Sequence, residues 1–338
     1  MTITESPASN EARPSGCLRL LRTVALIVVG VIAALIVVAY VIPVPPLDGT
    51  VPAASLADED SRFMDVNDVL VHFKLTGEGE PPVILLHGFA ASTFTWRDVM
   101  PPLSEERLVV AYDRPAFGLT ERPDPREIDG PNPYSREAQA ALVVGLMDAM
   151  EIDEAILVGH SAGGAIALDA ALAYPDRVAG LVLVDAAVYT QGGLPAFLQP
   201  LLRTAPFRRI GPLVGRSFKQ LGMNLAEQSW DDPSKLTPQI LDGYTRPLEV
   251  DGWDRALWEL VLVTTPQNLP DRLDEVTMPV LVITGDNDQI VPTEDSVRLA
   301  DELPNAELAV IAEAGHVPHE EQPEAFLEAV QGFLAEQE

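Results

Sequence analysis

The sequence predicts a layered α/β fold built on a parallel sheet, and three observations predict it. Short apolar runs alternate with segments of helical periodicity along most of the chain. Several of these runs, such as 82–86, are apolar without interruption, which is typical of strands buried on both faces. The 338 residues suffice for one large domain with an ample core.

The elements follow one another in the order expected for such a fold. Strands are predicted at 69–75, 82–86, 108–112, 155–158, 181–184, 280–284 and 307–311, and helices at 135–150, 164–174 and 323–334. Between about 187 and 274 this alternation stops, and helix-like segments carry tryptophans and several prolines. That stretch is too long for a connection, so we interpret it as a helical cap inserted into the domain 62–338.

The N-terminal part of the chain is predicted to lie outside this domain. Residues 23–42 form an uncharged, apolar run of 20 residues, long enough to cross a bilayer. Arg13, Arg19 and Arg22 precede it and Asp48 and Asp58 follow it, which predicts a cytoplasmic segment 1–22 and an extracytoplasmic domain. A cleaved signal peptide is the alternative, although its apolar region is usually shorter. Residues 43–61, rich in proline and alanine, are interpreted as a linker.

Composition argues against several classes of partner. The chain has 22 basic and 51 acidic residues and a net charge of −29, which disfavours nucleic acid. Its single cysteine, Cys17, allows no internal disulfide. Neither C-x-x-C nor H-E-x-x-H spacing occurs, so no metal site is predicted.

The segment 158–164, V-G-H-S-A-G-G, carries the first chemical signal. It lies between a predicted strand and a predicted helix, where a sharp turn would leave no room for a β-carbon at Gly159 or Gly163. The residue at the tip, Ser161, would stand exposed at a helix N-terminus, which favours a developing anion. Ser161 is therefore the candidate nucleophile.

A serine hydroxyl needs a base, and the chain offers five histidines. His72 lies within a strand and His87 at the end of one, where packing roles are common. His160 adjoins the serine but is expected to point the other way across the turn. His316 follows the last strand most directly and is the candidate base, while His319 is expected to face the following helix.

Two carboxylates are candidates to orient the base. Asp288 follows the penultimate strand, and Asp185 follows the strand after the elbow helix. Asp288 is preferred because the order Ser, Asp, His is the one expected on this type of scaffold, and Asp185 is held in reserve. Asp286 is interpreted as capping the turn.

Two backbone N–H groups are expected to stabilise the oxyanion. One belongs to Ala162, directly after the nucleophile. The other belongs to Phe89, in the loop after strand 82–86, where Gly88 allows the backbone to bend toward the site.

Five motifs in order resemble the α/β-hydrolase superfamily over about 62–336: 87–89 (H-G-F), 113–118 (D-R-P-A-F-G), 159–163 (G-H-S-A-G), 285–288 (G-D-N-D) and 315–316 (G-H). The resemblance is closest to its lid-bearing esterase, haloperoxidase-like and C–C hydrolase branch. It implies an eight-stranded, mostly parallel sheet, a cap between strands six and seven, and no cofactor. Related epoxide hydrolases and haloalkane dehalogenases carry aspartate at the elbow, where this chain has Ser161.

The function expected from these residues is that of a membrane-anchored serine hydrolase acting on a small-molecule carboxylic ester. Leu194, Phe197, Leu201 and Leu202 in the cap favour an apolar acyl group. C–C bond hydrolysis and peracid formation are alternatives on the same triad, and a non-catalytic binding protein is an alternative of another class. The sequence does not determine the oligomeric state.

Overall fold

A computed structural model describes residues 16–189, 193–195, 197–265 and 268–337. Its strands are β1 (Arg62–Val66), β2 (Val69–Thr76), β3 (Val83–Leu86), β4 (Val109–Tyr112), β5 (Ala155–His160), β6 (Val178–Val184), β7 (Val280–Gly285) and β8 (Ala306–Ile311). Its α-helices are α1 (Gly16–Val41), α2 (Met100–Leu103), α3 (Arg136–Ala149), α4 (Ala162–Ala173), α5 (Gln199–Leu202), α6 (Ala205–Ser229), α7 (Pro238–Thr245), α8 (Trp253–Val263), α9 (Thr293–Glu302), α10 (Pro318–Glu321) and α11 (Pro323–Ala335). Each strand and helix predicted from the sequence is present, with ends shifted by a few residues.

The strands form one eight-stranded sheet in the order β1-β2-β4-β3-β5-β6-β7-β8. β2 runs antiparallel to both β1 and β4, and the pairs from β4 to β8 are parallel. This confirms the predicted mostly parallel sheet. The carboxyl ends of β3 and β5 to β8 consequently meet at one edge.

The core lies on both faces of the sheet. Alternate residues of β3 face opposite sides: Ile84 and Leu86 belong to the cluster that includes α3 and α4, while Val83 and Leu85 belong to the cluster that includes α2 and α11. All four are completely buried. Helices on both faces therefore explain why the apolar runs are uninterrupted.

β1 and α9 were not predicted from the sequence, for the same physical reason. β1 is an edge strand whose Arg62 and Asp65 are exposed, so it shows no apolar run. α9 is strongly charged, and of its residues only Ser296 and Leu299 are buried. Elements that contribute little to the core carry little apolar periodicity.

Helices α5 to α8 occupy the stretch between β6 and β7, which is the helical cap. The 25-residue α6 packs closely on α8, because Gly211 and Gly215 leave room for Trp258 and for the backbone of Asp254. A β-carbon at Gly211 would come within 2.1 Å of the Trp258 ring.

Within the described residues, one helix segment, Arg19–Val41, is long and apolar enough to cross a bilayer. A signal sequence near an N-terminus would have the same properties. Residues 1–15, with Arg13 and most of the predicted cytoplasmic segment, lie outside the described residues. Residues 43–61 lie along the cap: Val51 exchanges backbone hydrogen bonds with Glu249 and Asp251, and Arg246 donates to the carbonyl of Leu56.

Candidate active site

The candidate nucleophile, acid and base lie together at the carboxyl edge of the sheet. Ser161 follows β5, Asp288 lies in the loop after β7, and His316 lies in the loop after β8. All three are buried, and Ser161 and His316 border the same cavity. The parallel strands thus bring together residues that lie far apart in the chain.

Ser161 is held in a strained backbone conformation. Its φ of 52° and ψ of −118° are rare for a residue with a side chain. A β-carbon at Gly163 would lie 2.2 Å from the carbonyl oxygen of Leu86, and one at Gly159 would lie 2.6 Å from the α-carbon of Gly164. The flanking glycines are therefore required by close backbone approach, as predicted.

The elbow is also fixed by hydrogen bonds to the neighbouring strand. The N–H of Ser161 donates to the carbonyl of Val184 at 2.8 Å, and the N–H of Ala187 donates to the carbonyl of Ser161 at 3.1 Å. These bonds help to hold the strained turn in place.

The side chains of His316 and Asp288 form a direct hydrogen bond. His316 Nδ1 donates to Asp288 Oδ2 at 2.7 Å. The other carboxylate oxygen, Oδ1, accepts from the N–H groups of Ile290 at 2.7 Å and Val291 at 3.0 Å. With a proton on Nδ1, the neutral imidazole of His316 has its lone pair on Nε2, which is the tautomer a general base requires.

Backbone hydrogen bonds join the loop after β7, which carries Asp288, to the loop after β8, which carries His316. The N–H of Asp286 donates to the carbonyl of Ile311, and that of Asn287 donates to the carbonyl of Ala314. The N–H of His316 donates at 2.7 Å to the carbonyl of Ser229, the last residue of α6. The histidine loop is therefore tied both to the sheet and to the cap.

The cavity above the site has about 1080 Å³ of empty space, including its open mouth. Most of its described lining is apolar, with Phe89, Ala90, Ala91, Ala116, Phe117, Met223, Leu225, Ala226, Trp230, Leu248, Trp253, Leu257 and Val317. The cap thus contributes the apolar wall that the sequence predicts. The residues that provide it differ from those predicted, because Leu194, Phe197, Leu201 and Leu202 are not among the described lining residues.

Of the predicted oxyanion donors, Ala162 directly follows Ser161 and Phe89 borders the same cavity. Ala162 is the first residue of α4, where N–H groups have no acceptor within the helix. Phe89 lies in the loop after β3 and borders the cavity. Gly88 packs so closely on the elbow that an added β-carbon would lie 3.2 Å from Cβ of Ser161.

The alternative acid, Asp185, is buried next to the preferred one. The N–H of Gly285 donates to Asp185 Oδ1 at 3.3 Å. Burial, together with the charge of Asp288, raises the pKa of Asp185 well above its usual value. The structure therefore pairs His316 with Asp288 and leaves Asp185 buried beside this pair.

The other buried histidines of the region act as structural groups. His87 accepts from the N–H of Arg114 through Nε2 and donates to the carbonyl of Gly88 through Nδ1, and burial lowers its pKa to about 3. The His160 ring does not point away from the site, as the sequence suggested, but lies with its centroid 4.8 Å from that of His316. Its Nε2 donates to the main-chain carbonyl of His316 at 2.7 Å, so it helps to hold the loop that carries the candidate base.

A buried carboxylate between cap and sheet was not found from the sequence. Glu320 borders the cavity, and its Oε1 accepts from Tyr244 of α7 at 2.9 Å and from Thr95. Arg97 pairs with the other oxygen. Burial raises the pKa of Glu320, and the charge of Arg97 opposes that shift. The adjacent pair 320–321, E-E, was the signal in the sequence, but nothing there indicated burial.

A second serine–histidine–aspartate chain lies away from the cavity. His72 Nδ1 donates to Asp113 Oδ2 at 2.7 Å, and Ser61 lies 2.9 Å from His72 Nε2. Asp113 also accepts from the N–H groups of Thr93 and Leu119. These bonds shape the loop after β4.

Potential metal ligands occur together only once among the described residues. Ligand atoms of His160, Asp185 and His316 lie within 4.8 Å of one another. Because His316 Nδ1 is bonded to Asp288 and His160 Nε2 to a carbonyl, an ion coordinated by these nitrogens would have to displace those hydrogen bonds. The donor set fits hydrogen bonding better than a closed metal site.

Comparison with known proteins gives a consistent picture. The family model for the alpha/beta hydrolase fold matches residues 81–323. An uncharacterised hydrolase of Bacillus subtilis is 29% identical over 274 residues, which cover 81% of this chain and 97% of the relative. A 2-hydroxymuconate semialdehyde hydrolase of Pseudomonas sp. strain CF600 is 32% identical, with coverage of 75% and 87%.

Solved structures share the same architecture. A thermophilic esterase from Thermogutta terrifontis superposes with a TM-score of 0.66 at 24% identity, over 82% of this chain and 98% of that one. At this identity the likeness shows the fold alone.

Proposed function

The chain belongs to the α/β-hydrolase family, and on that premise we propose that it is a membrane-anchored serine hydrolase that cleaves a carboxylic ester with an apolar acyl group. One observation carries the proposal: Ser161 on its strained elbow and His316, which is hydrogen-bonded to Asp288, border one apolar cavity. The wide apolar lining suits an acyl chain better than a charged substrate.

In the proposed reaction Ser161 Oγ attacks the ester carbonyl while His316 Nε2 accepts the hydroxyl proton. The N–H groups of Ala162 and Phe89 stabilise the oxyanion. The alcohol leaves with the proton from His316. A water molecule, deprotonated by His316, then attacks the acyl-enzyme and releases the carboxylic acid. Asp288 keeps His316 in the reactive tautomer and stabilises its positive charge throughout.

Covalent labelling with a fluorophosphonate tests the nucleophile. The wild-type protein is expected to be labelled and Ser161→Ala is not, while p-nitrophenyl esters of increasing chain length report turnover. A wild-type chain that labels no better than Ser161→Ala would contradict the proposal and support a non-catalytic binding protein.

C–C bond hydrolysis is a second candidate, favoured by the relative named as a 2-hydroxymuconate semialdehyde hydrolase. The same serine, histidine and aspartate would serve it. A chain that is labelled by the fluorophosphonate but hydrolyses no ester, while cleaving a vinylogous 1,5-diketone acid, would establish this candidate instead.

We further propose that 23–42 is a retained anchor, with 1–22 cytoplasmic, 43–61 a linker and 62–338 the extracytoplasmic hydrolase domain with its cap at about 187–274. The helix segment Arg19–Val41, the one among the described residues that is long and apolar enough to cross a bilayer, supports this arrangement. The test is alkaline extraction of membranes combined with protease treatment of intact and opened cells. Release of a shortened, soluble chain would support a cleaved signal peptide.

A further inference from the structure

The cap contains a segment whose charge differs from that of the rest of the protein. No aspartate or glutamate occurs from 186 to 226, whereas a stretch of that length would carry about six at the chain's average of 51 in 338. The same stretch contains five basic residues: Arg203, Arg208, Arg209, Arg216 and Lys219. Arg208 and Arg216 form ion pairs with Glu259 and Asp254 of α8, so the exposed Arg203, Arg209 and Lys219 carry the charge that this surface offers. We call residues 197–219 the basic segment. It comprises α5 and the first part of α6.

The basic segment is bonded to the end of the apolar helix α1. Arg209 Nη1 donates to the carbonyl oxygens of Ala39 at 2.8 Å and Ile42 at 2.7 Å. Ala39 lies in the last turn of α1 and Ile42 directly follows the helix, and carbonyls at this end have no partner within the helix. Arg216 donates to the carbonyl of Pro45 at 2.8 Å. Ala39 is completely buried, although most of α1 is exposed.

This contact fixes the depth of the basic segment relative to a membrane. If α1 spans the bilayer, its last turn lies at the boundary between acyl chains and headgroups. Tyr40, 58% exposed at that turn, is of the type that prefers this boundary. Arg209 is exposed and would lie at the level of the lipid phosphates.

Apolar side chains on the basic segment lie open to solvent. Phe197 is 79% exposed and Val214 is 41% exposed. Basic residues combined with exposed apolar ones are typical of segments that bind the surface of an anionic bilayer. In an otherwise acidic protein, this segment is the part that such a surface would attract rather than repel.

The same helix reaches the candidate active site. Lys219, Met223 and Leu225 of α6 border the cavity, and the carbonyl of Ser229 binds His316. Ten residues separate Arg209 from Lys219, which is about 15 Å along a helix. The cavity wall therefore begins within about 15 Å of the bilayer boundary.

We propose that the basic segment docks on an anionic lipid bilayer and that the cavity takes its substrates, esters with long apolar chains, from that bilayer. This deepens the proposed function and depends on α1 being a retained anchor. Continuity with α1, the positive charge and the exposed Phe197 each point to a bilayer as the occupant of this surface.

Docking is tested without reference to catalysis. The full chain carrying Phe197→Cys and Cys17→Ser, labelled with an environment-sensitive dye, is reconstituted in phosphatidylcholine vesicles with and without phosphatidylglycerol. Spin-labelled lipids are expected to quench the dye more strongly when phosphatidylglycerol is present, and less at high salt. The matched control is Leu308→Cys, an exposed apolar position on β8.

Quenching at position 197 no stronger than at 308 would overturn the docking proposal. The docking proposal would also be overturned if shielding of the dye from water depended on protein concentration and not on lipid charge. The surface would then bind a second copy of the chain.

The substrate class is tested with two esters, p-nitrophenyl butyrate in water and a long-chain p-nitrophenyl ester dissolved in the vesicles. Arg209→Gln is expected to lower turnover of the bilayer-dissolved ester about fivefold and to leave the soluble ester unchanged. Arg298→Gln, an exposed arginine on α9, should affect neither. An equal effect of Arg209→Gln on both esters would overturn uptake from the bilayer. If neither ester is turned over by the wild type, the proposed function fails, while the dye experiment still decides docking.

Discussion

Replacing Asp288 by asparagine tests the arrangement of the candidate triad most directly. The carboxylate is buried and makes three hydrogen bonds: Oδ1 accepts from the N–H groups of Ile290 and Val291, and Oδ2 accepts from His316 Nδ1. Asparagine has the same shape but only one acceptor oxygen. That oxygen will stay with the two backbone donors, because flipping the amide would place its own NH₂ group against the N–H groups of Ile290 and Val291.

The amide nitrogen of the asparagine must then face His316 Nδ1 and donate to it. The imidazole proton moves to Nε2, so this nitrogen can no longer accept the proton of Ser161. We expect kcat for a soluble ester to fall about 10⁴-fold, or about 5.5 kcal/mol in activation free energy, as in other triads with the wrong tautomer. KM should change little, because Asp288 does not border the cavity.

The assay is hydrolysis of p-nitrophenyl butyrate together with the rate of fluorophosphonate labelling, both on the full chain. The matched control is Asp286→Asn, two residues away and exposed, whose Oδ1 accepts from the N–H of Ala314. An amide oxygen can keep that bond, so near-normal activity is expected. If Asp288→Asn retains more than about a tenth of wild-type activity, Asp288 does not fix the tautomer, and Asp185 becomes the candidate.

Three further predictions concern packing, pH and the cap. Gly163→Ala should abolish activity and destabilise the fold, since its β-carbon would lie 2.2 Å from a carbonyl oxygen. The control is Gly332→Ala on the open face of α11. It should raise the free energy of unfolding, measured by urea titration, by about 0.5–1 kcal/mol. Burial lowers the pKa of His319 from 6.5 to about 3, so only the unfolded chain binds a proton there as the pH falls below 6.5. The free energy of unfolding should therefore be about 2 kcal/mol lower at pH 5 than at pH 7 because of this group. In His319→Gln, the decrease in the free energy of unfolding between pH 7 and pH 5 should be smaller by that amount. Tyr244→Phe removes a hydrogen-bond donor from buried Glu320, so calorimetry should show that the free energy of unfolding falls by about 1–3 kcal/mol. An unchanged melting temperature would mean that this hydrogen bond does not stabilise the cap.

The sequence predicts those parts of the site that depend on local backbone constraints. The turn at Ser161 was predictable because two glycines between a strand and a helix permit few conformations. The choice between Asp288 and Asp185 was harder, since both follow strands of the same sheet and only the register of the loops decides which one meets His316. Contacts such as Tyr244 with Glu320 depend on how the cap lies on the sheet, which no local pattern encodes.

The apolar wall of the cavity shows the same limit. The cap residues expected to form it, among them Leu201 and Leu202, are not part of the described lining, and α6 and α8 provide it instead. An apolar residue in a cap helix can face the substrate, a neighbouring helix or solvent with the same periodicity. Phe197, two residues before α5, likewise faces solvent although it was expected to face the substrate.

The bond between His316 and Ser229 joins two main-chain groups, an N–H and a carbonyl, and involves no side chain. Any residue that keeps the end of α6 helical can therefore occupy position 229 without releasing the histidine loop. The helix that shapes the cavity can then acquire new side chains for new substrates over evolutionary time. A candidate active site whose histidine loop is held by main-chain bonds can therefore keep its geometry while the side chains of its cap change.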